Sequence, residues 1–426
     1  MSSLKSLLII ISFCSFISAQ GMMNGYGIGS LFENQGSISG SNGLSKLSSA
    51  FMDNVSISNP STWQNLNYTY LSVSYSFDEA LLKEPSSLNG YSSLSNISWI
   101  LPLKSKSSLG ISLAPYSDQR INVLSDSTIT FVAFGDTLES TKKIKRVGGV
   151  VSFKLGGSRV LNSKFTFGNT LNFLFGSSRN SESIQISSSS TVIQKSRQRY
   201  TGLLNEAFLS FKINEKNIIF ASYLMTVNPL NIANKRKPLF DDVNNNEYHD
   251  YFSPLYDFPN PDSLTYPDEK RLANVHSPSS YHLAFETRLN NRSVLSVEIG
   301  SYSDSYEENT IIQIPLNKTI SSLSTQKILF TRFSDKLSLN IVDKFITRLG
   351  FQNKKSILEK DTKDIITEIG VSAGLGFRFK KMGNQIDFNY YYGLRDHKML
   401  KKIEYFQQFQ LSTSLADLWF VKRRQK

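Results

Sequence analysis

Cysteine is almost absent from this chain of 426 residues, because Cys14 is the only one. It lies in the opening stretch MSSLKSLLIIISFCSFISAQ, where Lys5 supplies a positive charge and an apolar run follows from residue 7 to residue 17. Ser18-Ala19 then form a small-residue cleavage site. This order predicts that residues 1–19 are a secretory signal peptide.

Once the signal peptide is removed, the mature chain would contain no disulfide and no thiolate metal ligand. A lipoprotein would use Cys14 as its attachment site, but the bulky Phe13 stands where a small residue is needed. Secreted eukaryotic domains of this size usually carry several cysteines, so the composition favours a bacterial envelope protein.

Long apolar runs are also missing after the signal peptide. No stretch approaches the roughly 20 residues that a membrane-spanning helix requires. The formal net charge is +12, but the sequence distributes Lys and Arg over many turns and loops. This distribution favours a solvated surface and argues against a nucleic-acid partner.

What the sequence does contain, from residue 66 onward, is alternation with a period of two. Apolar residues interleave with serine, glycine and other small or polar residues in short segments, for example at Leu71, Val73, Tyr75 and Phe77 and again at Val371, Ala373, Leu375 and Phe377. Successive side chains of a strand point to opposite faces, so each segment has one apolar and one polar face. Fourteen such strands fit between residues 65 and 420.

The connections between these strands alternate in length. Short connections are predicted at 104–106, 156–162, 214–216, 290–292, 334–336 and 382–384, and the longest of the others at 119–146, 177–197 and 228–278. Short turns at one end and long loops at the other are typical of an outer-membrane barrel. An even number of strands would place both termini, including a basic tail at 421–426, on the periplasmic side.

A soluble sandwich would also show alternation, but it would bury the apolar faces. A barrel in lipid turns them outward and directs the small polar faces into the lumen, and closure removes the unpaired strand edges that lipid does not tolerate. We therefore predict an all-β, fourteen-stranded antiparallel transmembrane barrel over residues 65–420. Glu298, Glu368 and Arg378 are the predicted lumen charges.

Motifs for chemistry are weak in this sequence. GYGIGS at 25–30 lacks the strand and helix of a dinucleotide site, and the four histidines share no metal-ligand spacing. DDVNNNEYHD at 241–250 offers oxygen ligands for a hard cation but not in an EF-hand register. We expect neither an enzyme nor a cofactor or metal.

Residues 20–64 precede the first strand and lack sustained alternation, and they end at Asn59-Pro60-Ser61. From composition alone this segment is either disordered in the periplasm or folded into the lumen. It resembles the N-terminal plug, or hatch, of the FadL family, which carries an Asn-Pro-Ala motif before the first strand; here Ser61 replaces the alanine. The chain end LSTSLADLWFVKRRQK, closing on Trp419-Phe420, is similar to the terminal strand of Bacteroidota relatives.

The resemblance implies passive, plug-gated uptake of hydrophobic small molecules such as long-chain fatty acids, with lateral release beside a kink in the third strand. Pro115 is the candidate for that kink, and a proline at a strand end where pairing stops is the alternative. Partners would be the apolar ligand, outer-membrane lipid and the barrel assembly machinery during biogenesis. A different expectation is a PorV-type accessory barrel of type IX secretion, which would bind exported cargo proteins.

Overall fold

A computed structural model gives the fold of the chain. It describes residues 22–25, 27–32, 44–82, 87–103, 106–124, 129–133, 136–186, 190–250, 257–260, 264, 269–305, 320–335, 340–358, 364–379, 384–398 and 401–417. The predicted signal peptide, Trp419-Phe420 and the tail at 421–426 lie outside these residues. Among the described residues, no helix is both long and apolar enough to cross a membrane.

Fourteen antiparallel strands form the body of the molecule. They are β1 (Thr69–Leu82), β2 (Ser87–Leu103), β3 (Ser107–Asp118), β4 (Asp136–Val160), β5 (Phe165–Ile186), β6 (Thr191–Lys212), β7 (Asn217–Arg236), β8 (Pro278–Arg288), β9 (Ser293–Asp304), β10 (Ile320–Arg332), β11 (Phe345–Leu358), β12 (Asp364–Arg378), β13 (Gln385–His397) and β14 (Lys402–Asp417). Shorter strands lie at Ser30–Leu31, Ile121–Leu124, Ile129–Ala133, Phe240–Asp242 and Lys270–His276.

The sheet closes on itself because β14 pairs with β1, from Asp417 opposite Thr69 to Glu404 opposite Leu82. The predicted fourteen-stranded all-β barrel is confirmed. Large apolar side chains are exposed on the outer face, whereas most serine, threonine and charged side chains on the inner face are buried. This is the distribution that a lipid-facing barrel requires.

Three of the short turns share one local design. Asn162, Asn214 and Asn290 each accept two backbone N–H groups from the residues two and three positions ahead, at 2.7–2.9 Å. Asparagine favours such turns because its side-chain oxygen mimics a backbone acceptor. The sequences LNSKF, INEKN and LNNRS therefore fix the reversals between β4 and β5, β6 and β7, and β8 and β9.

Two predicted long loops are largely strand instead. Residues 136–146 belong to β4, and residues 177–186 and 191–197 belong to β5 and β6, which pair with each other well beyond the apolar band. This extension lies outside the hydrocarbon region, so its outward face no longer has to be apolar and the alternating pattern is lost. The eleventh strand also begins at residue 345 and not 337, because Asn340 caps a 3-10 helix, Ile341–Lys344.

The long connections and the short turns lie at opposite ends of the barrel, which allows a test of orientation in the cell. Because the mature chain is predicted to lack cysteine, a single cysteine at Asn245 or Asn291 can be labelled selectively. We expect an impermeant thiol reagent to label Asn245→Cys on intact cells and to leave Asn291→Cys unlabelled until the cells are lysed. Labelling of both on intact cells would contradict the predicted orientation.

Candidate functional site

The barrel lumen is occupied by residues 44–66, which we name the luminal segment. Its apolar side chains Phe51, Val55, Ile57, Trp63 and Leu66 form one buried cluster with Ile100 and Ala416 of the barrel wall. Tyr70 of β1 completes this cluster, with its ring edge against Phe51 at 5.2 Å between ring centres. The segment is therefore a folded unit inside the barrel.

Asn59, Pro60 and Ser61 form the junction between the luminal segment and β1. Asn59 is fully buried; its amide donates to the carbonyl of Leu47 at 3.0 Å, and its side-chain oxygen accepts the N–H and hydroxyl of Ser61. Asn59 thereby caps the 3-10 helix Pro60–Asn65, where Pro60 takes the first position. Proline suits this position because its fixed φ matches and its missing N–H is not needed. The serine that replaces the family's alanine adds a hydrogen bond to Asn59.

The barrel wall comes unusually close to this 3-10 helix. A Cβ atom at Gly168 of β5 would lie 2.7 Å from the backbone nitrogen of Ser61, and one at Gly110 of β3 would lie 2.7 Å from the Trp63 ring. Only glycine fits at such distances, because the neighbouring atoms leave no room for a side chain. The barrel wall and the luminal segment therefore have complementary surfaces at this contact.

Glu298 of β9 is the main charged anchor of the luminal segment. Its carboxylate accepts the backbone N–H groups of Lys46, Leu47 and Ser48 at 2.8–3.2 Å, together with the hydroxyls of Ser45 and Ser48. A carboxylate that accepts several N–H groups makes strong charge-assisted hydrogen bonds. This predicted lumen charge therefore contacts the segment directly.

Other charged wall residues continue the same pattern along the segment. Lys327 of β10 donates to the carbonyl of Leu44, Arg348 of β11 to that of Ala50, and Arg378 of β12 to that of Phe51. The Ser49 N–H donates to Glu286 of β8 at 2.7 Å. The wall thus satisfies backbone groups that would otherwise be buried without partners.

Glu368, the third predicted lumen charge, lies elsewhere. It pairs with Arg395 at 2.6 Å and accepts the hydroxyl of Tyr391. Arg395 in turn lies 3.4 Å from Glu404. The hydrogen bonds and ion pairs of this network join β12, β13 and β14. The Tyr391 side chain also packs in an apolar cluster with Leu44 of the luminal segment.

Near Pro115, β3 loses its pairing with β2 but keeps its pairing with β4. β2 and β3 pair only as far as Ile97 opposite Leu113, and the register with β4 shifts between Pro115 and Ser117. Beyond this bulge Tyr116, Ser117 and Asp118 are all buried, so the alternation of inside and outside is lost. The short strand Ser30–Leu31 pairs with β3 there, opposite Asp118 and Ser117. We name this interrupted β2–β3 boundary the seam.

Two hollows flank the seam. On the lipid side, Leu71, Ile97, Trp99, Ile111, Ser112, Leu113 and Phe153 line an apolar hollow of about 360 Å³. Inside the barrel, a cavity of about 60 Å³ has apolar walls that include Leu31, Tyr116 and Leu323, and it also contacts Lys46, Lys154, Glu206 and His282. The inner cavity has room for only a few waters. A larger molecule therefore needs a movement of the residues around it.

The remaining sequence candidates have structural roles. His276 is buried between the Tyr116 hydroxyl and Asp304, at 2.6 Å from each. In the loop at 241–250, Asp242 accepts the N–H groups of Asn246 and Glu247, so its carboxylate is occupied by backbone. Within the described ranges, no group of three or more His, Cys, Asp or Glu side chains is arranged to hold a metal ion.

The hydrogen bonds of Asn59 predict how the luminal segment depends on it. Asn59→Ala leaves the Leu47 carbonyl and the Ser61 N–H without partners in a buried site, which costs on the order of 1–3 kcal/mol. We expect more frequent channel openings in planar bilayers at an unchanged β-content by circular dichroism. Ser58→Ala is the control, because Ser58 hydrogen-bonds only at the partly buried edge of the segment. Identical traces for Asn59→Ala and wild type would contradict the anchoring role.

A family model described as BamG matches residues 4–426. The chain belongs to the BamG family. No curated protein sequence matches this member of the BamG family. Its fold does match solved structures, including a Pseudomonas aeruginosa FadL homologue at TM-score 0.54 and 14% identity, over 94% of this chain and 99% of that one.

Two further structural relatives are toluene transporters. TbuX of Ralstonia pickettii matches at TM-score 0.51 and 10% identity, covering 94% of this chain and 99% of its own. TodX of Pseudomonas putida matches at TM-score 0.50 and 12% identity, covering 94% of this chain and 98% of its own. At such identities the likeness is one of fold. This member of the BamG family is an integral outer-membrane barrel of the FadL-like type.

The sequence indicated some of these residues and missed others. Glu286, Lys327 and Arg348 were not singled out, although each stands on the polar face of an alternating strand. That signal places a side chain in the lumen but does not say what it contacts. The partner of each depends on how the luminal segment folds back between strands that are more than 200 residues away.

Proposed function

We propose that this barrel conducts hydrophobic small molecules passively across the outer membrane and that the luminal segment gates their passage. The observation that carries the proposal is the seam. There, β3 departs from β2 beside a hollow that faces lipid and has an almost wholly apolar lining. An intact barrel wall offers an apolar molecule no exit into the membrane, whereas an interrupted wall does.

The proposed path begins at the outer loops. Leu239, Val243, Tyr248 and Phe258 are exposed in the longest described connection and form an apolar landing surface. The ligand then enters the inner cavity beside Tyr116. When Ser30–Leu31 separates from β3, the ligand leaves through the seam, where Pro115 is the proposed kink. No energy source or cofactor is needed for such a path.

The known roles of the structural relatives support this proposal. TbuX and TodX are described as toluene transporters, and a TodX mutant as a monoaromatic hydrocarbon channel. They are transporters or channels and not enzymes. We extend the ligand class to long-chain fatty acids because Lys46 and Lys154 line the inner cavity beside apolar walls. Once the surrounding residues move to enlarge the cavity, these two cations would face a carboxylate and the walls a hydrocarbon chain.

Uptake measurements test this function. Cells that carry the protein should take up labelled toluene or labelled oleate several times faster than cells that lack it, by analogy with the effect of a dedicated pore over an unassisted membrane. Uptake of a labelled small sugar should not change, because the luminal segment obstructs an aqueous path. Equal acceleration of sugar would indicate a general porin, and no acceleration of either apolar compound would refute the proposal.

The secretion-accessory alternative makes the opposite prediction. A PorV-type barrel would bind exported cargo through the same exposed loop and would leave uptake of apolar compounds unchanged. None of the relatives described above is such a protein.

A second candidate function follows from the family description, since the name BamG hints at barrel assembly. In that case, depletion of this chain should lower the amounts of other outer-membrane barrels within the same cells. If it acts only in uptake, those amounts should stay constant while apolar uptake falls. Quantitative mass spectrometry of outer membranes before and after depletion separates the two.

A further inference from the structure

Four cations form a patch on the outward face of β5, β6 and β7, beyond the apolar band. Arg179 of β5 lies directly opposite Arg197 of β6, which in turn lies directly opposite Lys235 of β7. Arg199 stands two residues further along β6 and therefore on the same face. All four side chains are exposed. We name this set the cationic rim.

Like charges on directly opposite residues of neighbouring strands destabilise a sheet. At other positions of the strands that the structure describes, opposite charged residues carry unlike charges: Glu298 lies opposite Lys327, Glu368 opposite both Lys354 and Arg395, and Arg395 opposite Glu404. Three adjacent cations across β5, β6 and β7 break this rule. An anion that lies between these cations would relieve their mutual repulsion.

The protein does not supply that anion within the residues that the structure describes, where none of the four forms an ion pair. The nearby Glu247 is used by other cations, with Lys145 at 3.3 Å and Lys143 at 3.6 Å. Partial burial raises the pKa of Glu247, but the charges of Lys145, Lys143 and Lys195 outweigh it and lower the pKa overall. Glu247 thus stays ionised for these lysines and does not neutralise the cationic rim.

The position of the cationic rim identifies the missing partner. On the same face of β5, Phe173 and Phe175 are exposed to the hydrocarbon region. Arg179 follows four residues later, about 13 Å further along the strand. Because Arg179 is the first charged side chain beyond Phe175 on this face, we infer that the lipid headgroups begin at its level. Arginine matches phosphate especially well, because its planar guanidinium donates two parallel hydrogen bonds to it.

We propose that the cationic rim binds the phosphate groups of membrane lipids at the long-loop end of the barrel. The apolar side chains below it would contact the acyl chains of the same lipids. The lipid would thereby neutralise three neighbouring positive charges and fix the extended β5–β6 hairpin at the membrane surface.

The test uses the purified full-length protein in a neutral detergent and native mass spectrometry. Dilauroyl phosphatidic acid and dilauroylglycerol are the two probes, since they share their acyl chains and differ in the phosphate. The variant Arg179→Gln/Arg197→Gln/Lys235→Gln is compared with Lys164→Gln/Lys212→Gln/Lys216→Gln, which removes three exposed cations at the short-turn end of the same strands.

We expect the rim variant to bind phosphatidic acid about 100-fold more weakly than wild type, from roughly tenfold or less per cation. The short-turn variant should keep the wild-type affinity, and dilauroylglycerol should bind all three proteins equally weakly. If both variants lost affinity for phosphatidic acid equally, binding would depend only on the net charge of the protein, which would overturn the proposal. Competition by inorganic phosphate at equal concentration would assign the rim to free phosphate and overturn the lipid assignment.

Thermal melting in the same detergent shows whether the rim variant has a folding defect. Without anionic lipid, the rim variant should melt at or above the wild-type temperature, because it is relieved of like-charge repulsion. Phosphatidic acid should raise the melting temperature of wild type but not of the rim variant. A rim variant that melts lower in neutral detergent would show that these cations serve the fold, which would overturn the proposal.

Discussion

Replacing Glu298 with alanine is expected to open the barrel lumen. The change removes the acceptor for three consecutive backbone N–H groups and two hydroxyls of the luminal segment. It also leaves Lys327, which lies opposite Glu298, without its cross-strand carboxylate. Breaking a buried, hydrogen-bonded charge contact of this kind costs about 3–5 kcal/mol. Planar-bilayer recordings should therefore show steady or frequent conductance where wild type is closed.

Glu368→Ala is the matched control for this prediction. Glu368 is the same residue type, is similarly buried and also lies opposite a cation, but within the described residues its carboxylate contacts barrel residues, namely Arg395, Tyr391 and Gln352. We expect it to lower the stability of the barrel and to leave the channel closed. Circular dichroism should show unchanged β-content in both variants. A closed Glu298→Ala channel, or equal opening of both, would contradict the anchoring of the luminal segment by Glu298.

Val371→Lys is expected to lower the free energy of unfolding by about 2–4 kcal/mol, because it would place a charge in the hydrocarbon near the bilayer midplane. Val371 lies at the centre of β12, is 52% exposed on the outer face and stands opposite Phe351 and Tyr392. Urea titrations of the protein folded into lipid vesicles measure this effect. Val371→Leu, which keeps the position apolar, should stay close to wild type. A Val371→Lys barrel as stable as wild type would mean that this face of β12 does not meet lipid.

Much of the fold could be predicted because a strand in a membrane barrel is specified locally. In β12, every second side chain faces lipid, as at Val371, Ala373, Leu375 and Phe377, and the side chains between them face the lumen. Consecutive residues alone therefore show the period of two. The same reason explains where the prediction was wrong. Around Lys142 and Arg197 the strands extend beyond the hydrocarbon region, where the outward face no longer has to be apolar, and the alternation that identifies them disappears.

The site depends on long-range contacts and was predicted less completely. Asn59-Pro60 could be noticed because a buried cap and a proline at the first helical position leave a local trace. Glu298 and Glu368 look alike in the sequence, since both stand on the polar face of an alternating strand. Only the contacts of the folded luminal segment distinguish Glu298, which anchors the segment, from Glu368, which does not.

Pro115 shows the same limit at the seam. A proline in a strand indicates lost pairing, but it cannot say whether the strand ends or bends. The structure shows a register shift between Pro115 and Ser117, buried side chains at residues 116–118, and pairing of β3 with Ser30–Leu31 where β2 no longer pairs. The pairing of Ser30 with Asp118 and of Leu31 with Ser117 joins residues almost 90 positions apart in the sequence, which a local pattern cannot predict.

A reversible disulfide across the seam tests the central claim most directly. Leu31 and Ser117 are opposite residues of an antiparallel pair, so their Cα atoms lie at a separation that a disulfide can bridge. In Leu31→Cys/Ser117→Cys, oxidation would hold the short strand on β3 and reduction would release it. We expect oxidised cells to lose the protein-dependent uptake of labelled toluene and oleate, and reduced cells to regain it. Equal uptake in the two states would contradict passage through the seam.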